Sequence, residues 1–385
     1  MSYRANIFSQ VLQFLPKLDF QRIVDNHRGD YRTRNLKCWT WFGALIFGQL
    51  TGHNSLRAIC KAFLIGRNGL RTLGFSEIKR STFAEANEKR PLKILEDVFY
   101  YLLGRAQSLA PKSKFRFKGN VVAVDSTTIS LCLSLSPWAR FHHGKGAVKL
   151  HTAIDVAGDL PQFALVTEGK VHDVKAIKKV TFAHGTTVVI DRAYVDYKWL
   201  WELTCQGVLF VTRMKSNCEY RIKECRKTNR TQGIICDQSI ILSSQRGGAY
   251  DGILRKISYR DPETGKKLVF LTNRFDLSPK TIADLYKSRW QIEIFFKILK
   301  HQLRIKKFLG TTVNSVKAQI WAALISYLLV AIIRWLSRLN WSIPETMAVL
   351  GVLLFVRLAL VDILNDAPSL RVRSPSSQQL ELFQF

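Results

Sequence analysis

A chain of 385 residues with 47% hydrophobic and 23% charged residues is long enough for one large core with appended subdomains, or for two to three domains. This composition excludes disorder along the whole chain. The 58 Lys and Arg against 29 Asp and Glu give a formal net charge of +29, which favours a polyanion such as DNA or RNA as partner. A ribosome-associated protein and a chain that is simply basic are the open alternatives.

The cysteines and the apolar stretches indicate where the chain is found. Seven cysteines, with no CxxC pair, argue against a disulfide framework or a zinc knuckle and predict buried free thiols in a reducing cytosol. The first 20 residues contain no apolar signal core. The apolar stretches 320–333 and 347–355 are shorter than the roughly 20 residues that a bilayer-spanning helix needs, so both are expected to be buried core helices.

Residues 1–115 are predicted to be helical. Apolar residues recur there at helical spacing, in segments such as 39–50 and 92–107, and strand alternation is not visible. A basic helical region ahead of a catalytic core suits DNA binding, and a helical scaffold that only packs is the alternative. The segment 52–63 is a weak candidate for a recognition helix.

From about residue 118, short apolar runs alternate with helical segments, which predicts an α/β fold. Asp125 and Asp191 each directly follow a buried run, 121–124 and 188–190. Strand ends are where α/β sheets place ligand groups, so the two carboxylates lie side by side if these strands are neighbours. A single Asp in such a position is usually a turn or cap residue. The other elements predicted here are strands at 147–155, 163–166 and 208–212, a turn at 158–159 and helices at 174–180 and 197–205.

The segment 214–267 is polar and basic with short β-like pieces, and its run 221–230 is expected to be a solvated loop. After it, Ser278 as N-cap and Pro279 at the first position open a long helix. The last 20 residues are rich in Ser and Gln and are expected to form a loose tail.

The long helix carries four polar residues in one stripe about 60° wide: Tyr286, Arg289, Glu293 and Lys300. Lys297 borders this stripe, and most of the remaining helix surface is apolar. A narrow polar stripe on an apolar helix indicates a packed helix that lines a site. An ordinary amphipathic helix with an Arg289–Glu293 pair is the alternative, and spacing alone does not decide between them.

Three carboxylates are therefore candidates for one site. Asp125, Asp191 and Glu293 together would form an oxygen-rich pocket suited to Mg²⁺ or Mn²⁺. Two such ions can activate an attacking oxygen and stabilise a leaving one in phosphodiester chemistry. We therefore predict a catalytic two-metal site on these three residues.

The polar stripe also carries a resemblance. Its spacing, Tyr286-(2)-Arg289-(3)-Glu293-(6)-Lys300, matches the Y-(2)-R-(3)-E-(6)-K signature of bacterial insertion-sequence DDE transposases, in the group numbered four. The segments VVAVDSTTIS and VVIDRAY resemble those that carry the two catalytic aspartates of that family. The resemblance covers roughly residues 115–310 and, more loosely, the helical N-terminal part.

This resemblance implies an α/β fold with an RNase H-like core of the retroviral-integrase type, a β-rich insertion between the second Asp and the Glu, and flanking helical regions. The chain then divides into a helical basic DNA-binding region 1–115, core 116–213, insertion 214–267, core 268–310, a C-terminal helical region 311–365 and a flexible tail 366–385.

The resemblance also implies roles and partners. Arg289 and Lys300 would contact phosphates of the transposon end, and Tyr286 would position a phosphate by its hydroxyl. Apart from the resemblance, Lys297 at the border of the stripe and Lys149 in a basic stretch near the first strands are further expected DNA contacts. The partners are the terminal inverted repeats of the element and target DNA, and a homodimer is expected in the synaptic complex. A bacterial, cytoplasmic, nucleoid-associated protein without a membrane partner is expected.

Two groups of residues stay unassigned. Relatives stack an aromatic residue of the insertion on a flipped base; Tyr220, Tyr250 and Tyr259 are candidates here, but no tryptophan lies between 214 and 267. The histidines near the first strands fit no metal signature and are expected at the surface or on phosphate: His142, His143, His151 and His172.

The predicted function is cut-and-paste DNA transposition. Two rivals remain: a nuclease of the same fold that cuts without strand transfer, and a domesticated or inactive DNA-binding protein. The complete acidic triad argues against the second rival.

Overall fold

The computed structural model describes residues 6–66, 70–110, 119–131, 138, 146–156, 160–243, 249–303, 305, 308–336 and 341–357. The predicted tail 366–385, the turn at 158–159 and the histidines at 142 and 143 lie outside the described residues.

The described part of the chain before the first strand is helical. Its helices are α1 (Ile7–Leu12), α2 (Lys17–Asn26), α3 (Cys38–Thr51), α4 (Leu56–Ile65), α5 (Arg80–Lys89) and α6 (Lys93–Leu109). The helices predicted at 39–50 and 92–107 are thus present as α3 and α6. The candidate recognition helix is α4, which begins after Ser55, whose side chain accepts a hydrogen bond from the N–H of Ala58.

Nine strands form one sheet among the described residues. They are β1 (Val121–Leu131), β2 (Gly146–Asp155), β3 (Leu160–Glu168), β4 (Thr187–Ile190), β5 (Leu209–Arg213), β6 (Tyr220–Arg226), β7 (Ile234–Leu242), β8 (Leu254–Arg260) and β9 (Lys267–Thr272). Their order is β3-β2-β1-β4-β5-β9-β8-β7-β6. The strands β1, β4 and β5 are parallel, and the remaining pairings are antiparallel. The predicted α/β character is confirmed.

The strand β1 extends further than predicted, so Asp125 does not end it. Pairing with β4 stops at Val124, whereas pairing with β2 continues to Leu131. The sequence 126–131 lacks the continuous apolar run that a strand buried on both faces shows, which is why the prediction stopped too early. Asp125 lies at the point where β1 leaves its parallel neighbour.

The β-rich segment after β5 extends the same sheet. β9 pairs with β5, and β8, β7 and β6 follow outward. The buried ion pair between Arg255 and Asp237, 2.7 Å between Nη2 and Oδ2, joins β8 to β7. The loop predicted at 221–230 is wrong for residues 221–226, because Tyr220–Arg226 form the edge strand β6, whereas residues 227–229 are irregular. Most of β6 is exposed, and this polar, charged composition concealed the strand.

The helices beyond the first strands cover the sheet and complete the helical core. They are α7 (Asp173–Ile177), α8 (Tyr197–Cys205), α9 (Pro279–Ser288), α10 (Trp290–His301), α11 (Val313–Leu336) and α12 (Ile343–Leu353). The one long helix predicted after Pro279 is divided into α9 and α10. The N–H of Arg289 donates to Tyr286 O, and the N–H of Ile292 donates to Arg289 O. These bonds span three residues instead of four, so the chain forms a tighter 3-10 turn at Arg289.

The helix α11 lies at the centre of the helical core, where it packs against α3, α5, α6 and α12. Among the described residues it alone is long and apolar enough to cross a membrane, but 94% of its apolar window is buried inside the protein. The prediction that 320–333 forms a buried core helix is confirmed. The two ends of the described chain also meet, since Ile7 N–H donates to Val356 O at 3.1 Å.

The six cysteines that the structure describes are free thiols, as predicted. They are mostly not buried, however: Cys205 and Cys225 are exposed and Cys38 is the buried one. Burial raises the pKa of the Cys38 thiol to about 12, so this thiol is protonated and unreactive near pH 7.

Close packing between α12 and α3 makes Gly351 sensitive to substitution. A Cβ there would lie 2.9 Å from the Leu50 carbonyl oxygen, which is backbone. We expect Gly351→Ala to lower the free energy of unfolding by about 1–3 kcal/mol, measured by urea denaturation. The matched control is Gly104→Ala in α6, where a Cβ meets nothing within 4 Å. This change should stabilise by about 0.5–1 kcal/mol. Equal effects of the two substitutions would contradict the packing described here.

Candidate active site

The register between β1 and β4 brings two carboxylates together. Val124 pairs with Ile190 in the parallel ladder, and the next residue on each segment is an aspartate, Asp125 and Asp191. Asp125 Oδ1 accepts the N–H of Ser126 at 2.8 Å, and Asp191 Oδ1 accepts the N–H of Arg192 at 2.6 Å. The expected neighbouring position of the two carboxylates is therefore present.

Arg289 connects the sheet with the helix α10. Its Nη1 donates to Asp125 Oδ2 at 2.9 Å, and its Nη2 donates to Glu293 Oε1 at 2.5 Å. One guanidinium therefore holds carboxylates that are 168 residues apart in sequence (293 − 125). Its fork of donors suits two carboxylates better than the single ammonium of Lys would.

Tyr286 connects α9 with the second aspartate. Its hydroxyl donates to Asp191 Oδ1 at 3.3 Å, and its ring packs on Phe270 of β9 with 5.1 Å between ring centroids. Three of the four residues of the polar stripe therefore contact an aspartate or each other: Tyr286, Arg289 and Glu293. The reading of this stripe as the lining of a site is the one that the contacts favour over an isolated helical ion pair.

Burial sets the electrostatics of the site. It raises the pKa of Asp125 to about 6, while the N–H of Ser126 and the charge of Arg289 lower it and the carboxylates of Asp191 and Glu293 raise it. Burial also raises the pKa of Tyr286 to about 12, with a further contribution from Asp191. The phenol is therefore a hydrogen-bond donor near neutral pH.

The other predicted site residues lie in different surroundings. Lys297 is exposed on α10 and Lys300 is half-buried there. Lys149 is 15% exposed and forms an ion pair with Asp173 at 3.2 Å. Of the aromatic candidates, Tyr250 and Tyr259 are buried.

A half-buried aromatic residue of the insertion, Tyr220, remains as a candidate for base stacking. Lys256 Nζ lies 4.6 Å from the centroid of its ring. Among the histidines, the prediction that His151 lies at the surface is wrong. Its side chain is 1% exposed, because β2 places it on a face of the sheet that α7 covers. His172 is exposed, as expected.

Sequence reasoning missed an apolar cavity beside Arg289. This cavity of about 370 Å³ lies between Tyr259, Leu268, Tyr286, Arg289 and Trp290, and three further charged side chains line it: Asp261, Asp284 and Lys287. Trp290 is 60% exposed, unusual for the largest apolar side chain. The only signal in the sequence was its place next to Arg289 at the border of the polar stripe.

The donor set fits a divalent cation. Asp125, Asp191 and Glu293 offer hard carboxylate oxygens of the kind that Mg²⁺ and Mn²⁺ prefer. In the described part of the chain, three acidic, Cys or His side chains do not converge tightly enough to hold an ion together, and Arg289 lies between two of the carboxylates instead. The guanidinium of Arg289 supplies the positive charge next to Asp125 and Glu293.

Comparison with known proteins identifies the family of the chain. The family model described as transposase DDE domain matches residues 116–329, more than half of the chain. The chain belongs to the DDE transposase family. A second model, for a domain of unknown function, matches residues 4–76 of this transposase.

Individual relatives carry the same kind of name. A putative transposase of Sinorhizobium fredii is 30% identical over 264 residues, 68% of this chain and 73% of that protein. A probable transposase for an insertion sequence element of Geobacillus stearothermophilus is 31% identical over 278 residues, 72% of each chain. The protein is thus a DNA transposase of the insertion-sequence type.

Among solved structures, the piggyBac transposase in a synaptic complex with hairpin DNA matches 95% of this chain and 80% of its own, at 12% identity and a TM-score of 0.43.

The raised pKa of Asp125 has a consequence for stability. Its pKa in the folded protein, about 6, exceeds the ordinary 3.8. The folded state therefore binds this proton more tightly than the unfolded chain, and its contribution is complete below pH 4 and lost as the pH rises through 6. At pH 7.5 the ionised carboxylate costs about 1–3 kcal/mol.

We expect Asp125→Asn to stabilise the protein by about that amount, roughly 1–3 kcal/mol, at pH 7.5 in the presence of a chelator. The advantage should shrink as the pH falls to 4, because the parent carboxyl is then protonated as well. Urea denaturation at pH 4, 6 and 7.5 measures it. A less stable Asn variant at pH 7.5 would show that Arg289 compensates the burial completely.

Proposed function

We propose that this transposase cuts the ends of its element and joins the resulting 3′-hydroxyls to target DNA with divalent metal ions held by Asp125, Asp191 and Glu293. The contact that carries the proposal is the pair of hydrogen bonds from Arg289 to Asp125 and Glu293. Asp125 and Asp191 each directly follow the last pair of the parallel ladder, Val124 and Ile190. Mg²⁺ or Mn²⁺, as a two-metal site, would supply Lewis-acid stabilisation of the attacking and leaving oxygens.

The fold proposed for this centre is an RNase H-like core. The order β3-β2-β1-β4-β5, with three antiparallel strands followed by two that are parallel to β1, supports it. The strands β6 to β8 then stand as the β-rich insertion between Asp191 and Glu293, within the proposed segment 214–267. The proposed core segments are 116–213 and 268–310.

The chain's own residues position the DNA. Arg289 and Lys300 would contact phosphates of the transposon end, and Tyr286 would donate its hydroxyl to one. The raised pKa of Tyr286 keeps that proton in place. Lys297, exposed on the same helix, extends this cationic surface. Lys149 is proposed as a DNA contact with less support, because Asp173 already holds it.

The aromatic cavity beside Arg289 suits a nucleobase. Trp290 is exposed at its rim, and base stacking on an exposed aromatic side chain contributes about 1–3 kcal/mol. The cavity lies next to the proposed phosphate contacts, so a base of the transposon end is within reach.

The helical N-terminal region offers a second DNA surface. A groove of about 460 Å³ between α4 and α5 is lined by four cations and one acid: Arg57, Lys61, Lys79, Arg80 and Glu77. We assign this groove to duplex DNA of the terminal inverted repeats, as part of the DNA-binding region proposed for 1–115. We further propose that a homodimer holds the two transposon ends in the synaptic complex. Its proposed location is the cytoplasm, at the nucleoid.

The decisive experiment supplies pre-cut transposon ends and a target plasmid with Mg²⁺. The parent protein should give joined product, whereas Asp125→Ala and Glu293→Gln should each reduce joining by at least about 10³-fold, because a metal ligand is lost. Lys170→Gln is the control, since Lys170 pairs only with the nearby surface residue Glu168 at 2.9 Å.

The rival activities give different outcomes in this assay. Hydrolysed ends without joined product would favour a nuclease. DNA binding without cleavage would favour an inactive DNA-binding protein. Metal-dependent joining by Asp125→Ala would overturn the assignment of the triad.

The groove between α4 and α5 is tested by charge reversal. The double variant Arg57→Glu/Lys61→Glu should bind inverted-repeat DNA more weakly, and its affinity should depend less steeply on salt, by about one unit of log–log slope for each lost phosphate contact. Lys89→Glu/Lys93→Glu, which changes the charge equally on neighbouring helices, should keep the parental slope, since both lysines already pair with Glu residues. Filter binding at several salt concentrations measures both. Identical slopes for the two variants would remove the groove from the DNA interface.

A further inference from the structure

A second polar group lies behind Asp125, on the opposite face of β1. Side chains alternate across a strand, so Asp125 faces Arg289 while Ser126 faces α7. Ser126 Oγ donates to Asp173 Oδ1 at 2.8 Å, and the N–H of Ser126 donates to Asp125 Oδ1 at 2.8 Å. Ser126 therefore contacts the catalytic carboxylate and Asp173 at the same time.

Two side chains of β2 lie beside Asp173: Lys149 donates a hydrogen bond to it, whereas His151 Nδ1 is too distant to do so. Lys149 Nζ donates to Asp173 Oδ1 at 3.2 Å and to Val171 O at 3.1 Å. His151 Nδ1 lies 3.6 Å from the same carboxylate oxygen, and its Nε2 lies 2.9 Å from Thr167 Oγ1. Burial lowers the pKa of His151 to about 4, so the imidazole is neutral near pH 7 and Lys149 supplies the positive charge beside Asp173.

The same short helix also reaches the segment that carries the second aspartate. The helix α7 packs against the turn Arg192–Tyr194, which directly follows Asp191. Tyr194 is 2% exposed. Burial raises the pKa of its hydroxyl, the neighbouring side chain of Ser126 lowers it, and the carboxylates of Asp125, Asp173 and Asp191 raise it. The helix with Asp173 at its start therefore supports both aspartate-bearing segments from behind the sheet.

We propose that Asp173 is a positioning residue of the metal site: held by Lys149, it fixes Ser126, and Ser126 fixes the carboxylate of Asp125. This inference rests on the proposed function, because it requires Asp125 to bind metal. Residues that hydrogen-bond to metal ligands set metal affinity strongly, by about 10–100-fold. The Ser126–Asp173 pair acts one step further out, through the N–H that orients Asp125.

The test uses Asp173→Asn, Ser126→Ala and the double variant in the full-length protein. Calorimetric titration without DNA gives the affinity for Mn²⁺, and the Mg²⁺ concentration for half-maximal end cleavage gives a second value. Each single variant should weaken Mn²⁺ binding about tenfold and raise the Mg²⁺ requirement in parallel, with DNA binding in chelator unchanged. The double variant should be no weaker than either single one, because the two residues act in series.

The matched control is Asp196→Asn. Asp196 also begins a helix and pairs with a lysine, Lys178, at 3.0 Å, and its other oxygen accepts the N–H of Trp199. Its Mn²⁺ affinity should equal that of the parent. Thermal unfolding verifies that each variant is folded. If Asp173→Asn does not fold, the Mn²⁺ affinity of Ser126→Ala alone tests the positioning role.

The outcomes separate this inference from the proposed function. If Asp125→Asn leaves Mn²⁺ binding intact, the metal site itself is wrong. If Asp125→Asn abolishes binding while folded Ser126→Ala and Asp173→Asn bind as the parent does, only the positioning role is overturned. Additive losses in the double variant would also overturn it, since they would mean that Asp173 acts independently of Ser126.

Discussion

The site depends on how the protein tolerates three carboxylates in a small, partly buried volume. Like charges at short range oppose one another, and burial removes the water that would screen them. In this structure the guanidinium of Arg289 lies between Asp125 and Glu293 and compensates part of that repulsion. The pKa of Asp125 is raised to about 6 nonetheless, so burial outweighs the arginine. The ionised carboxylates therefore leave a negative charge that Arg289 compensates only in part, and the proposed divalent cations would compensate it further.

The two helices of the site meet at this arginine. The division between α9 and α10 falls at Arg289, so Tyr286 belongs to one helix and Glu293 to the next. Tyr286 turns to Asp191, and Glu293 stays with Arg289 on the side of Asp125. Successive side chains of β1 lie on opposite faces of the sheet. Asp125 points to the helices α9 and α10, and Ser126 points to the polar group under α7. Alternation along a single strand thus separates the reacting groups from the groups that support them.

Much of this arrangement was predictable, because local periodicity and residue chemistry determine it. The stripe of Tyr286, Arg289 and Glu293, the strand before Asp191 and the N-cap at Ser278 each leave a short-range signal. The extension of β1 to Leu131 and the edge strand β6 were not predictable, because long-range pairing stabilises polar segments that have no strand pattern of their own. The role of Asp173 leaves no signal either, since its partners Lys149 and Ser126 come from two other elements. Trp290 was visible in the sequence, but the cavity beside it depends on Tyr259 and Leu268 from the distant strands β8 and β9.

The buried helix α11 has a consequence for how the protein folds during its synthesis. The apolar faces of α3, α5 and α6 pack against a helix that begins at Val313, more than 200 residues after α6 ends. During synthesis these faces have no partner until nearly the whole chain has left the ribosome. A chain that stops before α11, as from an interrupted copy of the gene, would expose them and be a substrate for chaperones and proteases. A fragment made of the amino-terminal helices alone is therefore expected to be cleared rather than to accumulate.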